Sequence, residues 1–174
     1  MTVPEIKRNY SYTTSCEILE AAATGKVFSA DETTNAITST AHGFADGDRI
    51  IFRDGDAPRP LASDTVYFVR DKTNDTFKLA ETSGGTAIDL AESGSGTLYA
   101  VSPMDLTGAA AWYVVEDKEF AAVVESPATL GKVSIDMTPA QTETLDRGRR
   151  QAWFKVVLGG ETNYYGEHFV DVVD

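Results

Sequence analysis

The chain is 174 residues long, with 42% hydrophobic and 10% aromatic residues, the composition of a folded protein rather than a disordered one. Its 27 acidic residues outweigh 15 basic ones, and the formal net charge of -12 opposes a phosphate backbone, so no nucleic-acid partner is expected. Cys16 is the single cysteine, so no intrachain disulfide can form, which fits synthesis in a reducing cytoplasm.

Residues 1–26 form the first segment. Its opening residues lack the apolar stretch of a signal peptide, and no apolar run in the chain approaches the length of a membrane span, so no membrane insertion is expected. Lys7 to Thr14 alternates as a strand with Tyr10 and Tyr12 on one face. Cys16 to Ala23 reads either as a helical turn ended by Gly25 or as a second strand. It is shorter than a stable isolated helix, and strand is the preferred reading.

Residues 27–101 carry many short apolar runs, each closed by a turn-forming cluster. Strands are predicted near Val27–Ala30, Ala36–Thr40, Arg49–Phe52, Val66–Asp71, Thr76–Ala80, Ala87–Leu90 and Thr97–Val101. Gly, Asn and Asp in the intervening clusters, among them Asp46-Gly47-Asp48, Asp54-Gly55-Asp56 and Ser93-Gly94-Ser95-Gly96, supply the positive φ of tight turns. Asp56 to Pro60 is a loop, because proline cannot donate to a ladder. The expectation is an all-β fold in which a small barrel or sandwich closes over its own edges.

Residues 102–174 complete the chain. Strands are predicted at Ala111–Asp117, Glu119–Glu125, Gly131–Asp136, Gln151–Leu158 and Asn163–Val173, with Gly159-Gly160 joining the last two as a hairpin. Between them lies the one predicted helix. Thr138 caps it, Pro139 takes its first position, Gln141 completes a capping box, and Leu145 points inward after about two turns.

Two stretches resemble known material. The order I-T-x-x-x-H-G-F-x-x-G-D-x-I-x-F, then P-L-x-x-x-T-V-Y-F-V, T-F-K-L-A and G-T-A-I-D-L resembles a small β module of bacteriophage tail-fibre and other virion proteins. It runs through Ile37, His42, Gly43, Phe44, Gly47, Asp48 and Phe52, then Pro60, Leu61, Thr65, Tyr67, Phe77, Leu79, Gly85 and Ile88. The C-terminal pattern D-L-T-G, G-K-V-S-I-D, T-P-A-Q-T-x-x-L and G-E-H-F-V-D-V resembles a β-sandwich domain of phage baseplate and tail proteins, in which an early strand precedes D-L-T-G. The two together imply a β module (27–101) inserted in a β-sandwich domain formed by residues 102–174 and the N-terminal strand. They also imply a virion structural protein of the tail, made in the host cytoplasm, that contacts other virion proteins and forms a homo-oligomer, a trimer or hexamer. The alternatives are a capsid decoration or neck protein and a carbohydrate-binding adhesin module.

Chemistry-bearing residues are few. His42, near Asp46 and Asp48, reads as a base or metal ligand only if a nucleophile or second ligand stands at a recognisable spacing, and none does. The preferred reading is a structural turn made by His42, Gly43, Phe44, Gly47 and Asp48. His168 alternates with Val170 and Val172 and reads as a partly buried strand residue. Cys16, beside Glu17, lacks the electropositive setting of a reactive thiol. The two Asp-Gly-Asp repeats fall short of a calcium loop and read as turns. No catalytic residue, cofactor or metal site is assigned. Trp112, Tyr113, Trp153, Tyr164 and Tyr165 concentrate in the last third. Adjacent strand residues point to opposite faces, so some of these aromatics are candidates for an exposed interface row.

Overall fold

The computed structural model describes Val3–Asp174 and is all-β. In chain order it contains β1 (Glu5–Lys7), β2 (Tyr12–Glu17), β3 (Leu19–Ala21), β4 (Lys26–Asp31), β5 (Ala36–Thr38), β6 (Arg49–Asp56) and β7 (Tyr67–Arg70). There follow β8 (Thr76–Ala80), β9 (Gly94–Pro103), β10 (Ala110–Val115), β11 (Lys118–Val124) and a 3-10 turn (Ala128–Leu130). The chain ends with β12 (Lys132–Met137), α1 (Pro139–Glu143), β13 (Gly148–Leu158) and β14 (Glu161–Val173). It divides into two compact units. One holds the residues up to Leu19 together with Pro103–Asp174, and the other is Glu20–Ser102. Residues 20–26, which the sequence grouping leaves with the N-terminal segment, therefore belong to the second unit, where Ala22 N–H donates to the carbonyl of Ala100.

The Glu20–Ser102 unit is a closed antiparallel barrel. Strands pair in the order β3-β9-β4-β5-β8-β7-β6, and β6 pairs again with β9 to complete the ring, with β3 as an extra strand on β9. Alternate residues point inward as the pleat requires, so Phe28, Ile37, Ile50, Phe52, Tyr67, Val69, Phe77, Leu79 and Leu98 fill the interior. Phe28 meets Phe52 edge-on at 4.8 Å. Each such ring, fully buried, contributes about 1.5–3 kcal/mol.

Two predicted turns are strand instead. Asp54-Gly55-Asp56 continues β6, and Ser93-Gly94-Ser95-Gly96 mostly belongs to β9. The reason is close packing of backbones at the closing seam. Gly55 lies opposite Gly96 beside a bulge, and a Cβ on Gly55 would stand 2.5 Å from the Ser95 carbonyl oxygen. The glycines therefore serve close approach rather than chain reversal. Conversely, Ala87–Leu90 is not a strand. The Leu90 amide donates to Asn35 Oδ1 (2.7 Å), while Asn35 Nδ2 donates to Asp89 (3.0 Å), so a side chain anchors this segment where a ladder was expected.

The other unit is a seven-stranded sheet ordered β1-β14-β13-β10-β11-β12-β2 that folds over itself as a sandwich. The corner is β11, whose early residues pair with β10 and whose Val123 and Val124 pair with β12. The two halves meet across a core that includes Ile6, Tyr113, Val133, Ile135, Met137, Phe154, Val170 and Val172. The single strand expected over Lys7–Thr14 is broken. Asn9 adopts φ +64°, β1 runs parallel to β14, and β2 pairs antiparallel with β12. Tyr10 thus sits exposed in the turn, away from Tyr12. The Cys16–Ala23 stretch is extended, and the helix has the expected cap: Thr138 accepts from Gln141 N–H while Gln141 accepts from Thr138 N–H. Leu145 is buried after it. Gly159 and Gly160, both at positive φ, form the two-residue β13–β14 turn.

The barrel seam yields a prediction. Gly55→Ala forces either a backbone clash or the opening of the β6–β9 pairing, and it should cost about 2–3 kcal/mol. In hydrogen exchange, the barrel amides of β6 and β9 should lose protection while those of β13 and β14 keep theirs.

Candidate functional site

The first candidate, the His42 turn, lies in the barrel unit. Its parts are held by backbone bonds. Ala41, at φ +49°, donates its N–H to Asp75 Oδ1 (2.8 Å), and the Phe44 N–H donates to His42 Nδ1 (2.9 Å). A ring nitrogen thus accepts from the amide two residues on, the bond that Asn or Asp makes in an Asx-turn. Since Nδ1 accepts, the proton of the neutral ring sits on Nε2, which is buried without a hydrogen-bond partner among the described residues. The ring, 2% exposed, stacks on Phe44 at 5.2 Å and meets Phe77 edge-on at 4.9 Å.

Gly47 N–H donates to the Val69 carbonyl at φ +95°, and Asp48 Oδ2 accepts from Ala45 N–H (2.8 Å). Asp46 accepts from the Lys72 amide (3.1 Å). Both carboxylates thus bond backbone amides rather than orienting the imidazole. Among the described residues, no group of three or more His, Cys, Asp or Glu side chains is placed to hold a metal ion. Asp54, in the second Asp-Gly-Asp repeat, accepts from the Tyr99 hydroxyl (3.3 Å).

The second candidate, the aromatic group of the sandwich unit, is sorted by the pleat. Tyr113 and Tyr165 point inward, while Trp112, Trp153 and Tyr164 lie on the outer face of the β14-β13-β10-β11 sheet. Trp112 sits opposite Lys155, whose ammonium lies 5.1 Å from the indole centroid and bonds Glu119 (2.9 Å). Trp153 lies opposite Val114, and Tyr164 opposite Lys155. The Trp153 and Tyr164 rings are 6.2 Å apart and nearly perpendicular, at 84°. Tyr164 is 61% exposed. Phe169, 48% exposed and not singled out from the sequence, extends the row under the Arg149 guanidinium at 4.5 Å. Alternation with Val170 was the signal that would have found it.

A concavity of about 270 Å3 opens on this face, lined by Val114, Glu116, Asp117, Glu119, Trp153 and Tyr164. The Trp153 indole nitrogen is buried without a hydrogen-bond partner among the described residues. Glu116 lies 3.8 Å from Arg150.

On the inner face, the carbonyl of Gly166 can only accept, so the 2.6 Å contact puts a proton on His168 Nδ1. His168 Nε2 then accepts from the Tyr113 hydroxyl at 3.1 Å. Burial, with a smaller contribution from Tyr12, pushes the Tyr113 phenol well above its ordinary range, and burial raises Tyr165 as well. Burial, then Glu17, raises the half-buried Cys16 thiol, which keeps it protonated and unreactive at neutral pH. Asp105 in the D-L-T-G turn accepts from the Thr107 hydroxyl and amide, which hold its carboxyl below the usual range.

A scan against protein-family models and searches of curated proteins and of solved structures return no match to this chain.

Two predictions follow from these geometries. His42→Ala strands the buried Phe44 N–H and removes a packed ring, at a cost of about 2–4 kcal/mol; His42→Asn keeps an acceptor two residues before that amide and should cost less. Urea unfolding followed by the protection of barrel amides compares the two. The phenol of Tyr113 has a folded-state pKa above its unfolded value of about 10. Its contribution to stability is therefore complete below that pH and is lost as pH rises, because the unfolded chain releases the proton first. Tyr113→Phe should flatten the fall in stability of the sandwich unit above about pH 10.

Proposed function

We propose that this chain is a non-enzymatic structural protein of a bacteriophage tail, a baseplate, fibre-attachment or tail-tip component that holds neighbouring virion subunits, its own copies among them. The observation that carries the reading is how the residues of the tail-module resemblance are used. Ile37, Phe44, Phe52, Leu61, Tyr67, Phe77 and Leu79 are barrel core, and His42, Gly47 and Asp48 shape the turn that follows β5. A pattern consumed by architecture suits a module whose work is geometric.

The sandwich unit supplies means of contact. Its outer sheet face carries Trp112, Trp153, Tyr164 and Phe169, residue types that anchor interfaces. Strands β1 and β2 stand at the two ends of its sheet order. The adhesin reading is less favoured. A sugar stacking on Trp112 must first displace the Lys155 ammonium, which is already held there by Glu119. The decoration or neck reading differs from the tail reading only in location.

Immunogold labelling of intact particles, with antibody raised against the folded chain, tests this directly. Label confined to the tail tip or baseplate is the expected outcome. Label spread over the head would replace the tail reading with a decoration protein, and particles that bind no antibody, even after disruption, would end the virion reading.

A further inference from the structure

We infer that the concavity on the outer face of the sandwich sheet is a docking site for a basic peptide segment of a partner protein, with one Arg or Lys side chain laid against the packed Trp153–Tyr164 pair. Two independent features meet there. The first is aromatic. The Trp153 and Tyr164 rings pack edge to face, 84° apart in plane with centroids 6.2 Å apart, and both line the concavity. A cation against such ring faces is attracted by their quadrupoles, more strongly as it sheds water. Nearby, Lys155 over Trp112 and Arg149 over Phe169 show cations already lodged on aromatic rings of this sheet.

The second feature is charge. The remaining walls carry Glu116, Asp117 and Glu119. Lys155 offsets Glu119 and Arg150 approaches Glu116, whereas Asp117 has no ion-pair partner among the described residues. The site therefore keeps a net negative charge within a chain whose own formal charge is -12. This potential steers a basic segment in and a second acidic copy away. The space of about 270 Å3 accommodates one long side chain with its flanking backbone, not a folded element. The inference rests on the proposed assembly role only for the origin of the segment, a neighbouring virion subunit; the site itself is read from the isolated chain.

The test titrates the purified, nitrogen-15-labelled chain with a blocked tetra-arginine peptide at low salt, using blocked tetra-glutamine and maltohexaose as controls. The indole N–H signals of Trp112 and Trp153, assigned with Trp112→Phe, are the readout. Tetra-arginine should move the Trp153 signal saturably, and added salt should weaken the effect. Tyr164→Ala and Asp117→Asn, both at exposed positions, should each weaken binding about 3- to 10-fold while the rest of the spectrum stays folded. Equal binding by both variants would mean diffuse attraction to an acidic surface and would overturn the site. So would a Trp153 signal that tetra-arginine leaves in place, and a response to maltohexaose alone would instead make this face a sugar platform. None of these outcomes bears on where the protein sits in a particle, which the labelling experiment decides separately.

Discussion

A short chain of hydrogen bonds spans the bulge that decides the side of the sandwich on which each late side chain falls. Tyr113 donates to His168, and His168 donates to the carbonyl of Gly166. Gly166, at φ +64°, sits where the β13–β14 register shifts by one residue, between the pairs Ala152–His168 and Phe154–Tyr165. A Cβ there would lie 2.9 Å from Cys16 Sγ, so the bulge needs a glycine for its conformation and for its contact with β2. Without the extra residue, either Tyr165 or His168 would have to leave the inner face. With it, both stay inside, Val170 and Val172 remain in the core, and Tyr164 stands beside Trp153 on the outside. The outer aromatic face is in this sense a product of the bulge at Gly166.

The barrel unit solves a different problem with the same residue type. A ring of short strands must bring its first and last members close enough to share a ladder, and side chains at the seam would hold the backbones apart. The Gly55–Gly96 pair lets β6 and β9 approach, and their pairing closes the ring, with β3 left at the end of the sheet order. Inside, the imidazole of His42 lies among phenylalanines at the cost of one unpartnered nitrogen, and in exchange its other nitrogen satisfies a buried amide. An apolar ring of similar size would fill the space but leave that amide without an acceptor.

Much of this was legible in the sequence where a residue has only one physical use. Thr138, Pro139 and Gln141 announce a helix start, and Gly159-Gly160 between two long alternating runs announces a hairpin; the structure has both. Legibility failed where one residue serves two ends. The Asp-Gly-Asp at 54–56 has turn chemistry, yet its glycine is used for close approach within a strand. Ala87–Leu90 has strand composition, yet Asn35 captures its backbone through a contact 55 positions away that no local pattern reveals. The aromatics were legible as a group but not as two faces. Pair-by-pair alternation separates Trp112 from Tyr113, but the bulge at Gly166 resets the count before His168, and bulges of this kind are written in tertiary contacts rather than in periodicity.

An exposed aromatic sheet face is also a hazard, since two copies could bury it against each other. Here the charges argue against that pairing. Face-to-face contact of two copies through the same patch would set Glu116, Asp117 and Glu119 near their equivalents, with Lys155 already committed to Glu119. Like charges brought together in a desolvated interface cost several kcal/mol. Lys155 on Trp112 and Arg149 on Phe169 further cover the rings that such a contact would need to bury. The same arrangement does not penalise a basic segment, which brings the missing cation and leaves the existing pairs in place. Specificity on this face thus comes from repulsion of the wrong partner as much as from attraction of the right one. A homo-oligomer of this chain would instead form through other surfaces, and β1 and β2 stand at the two ends of the sandwich sheet order.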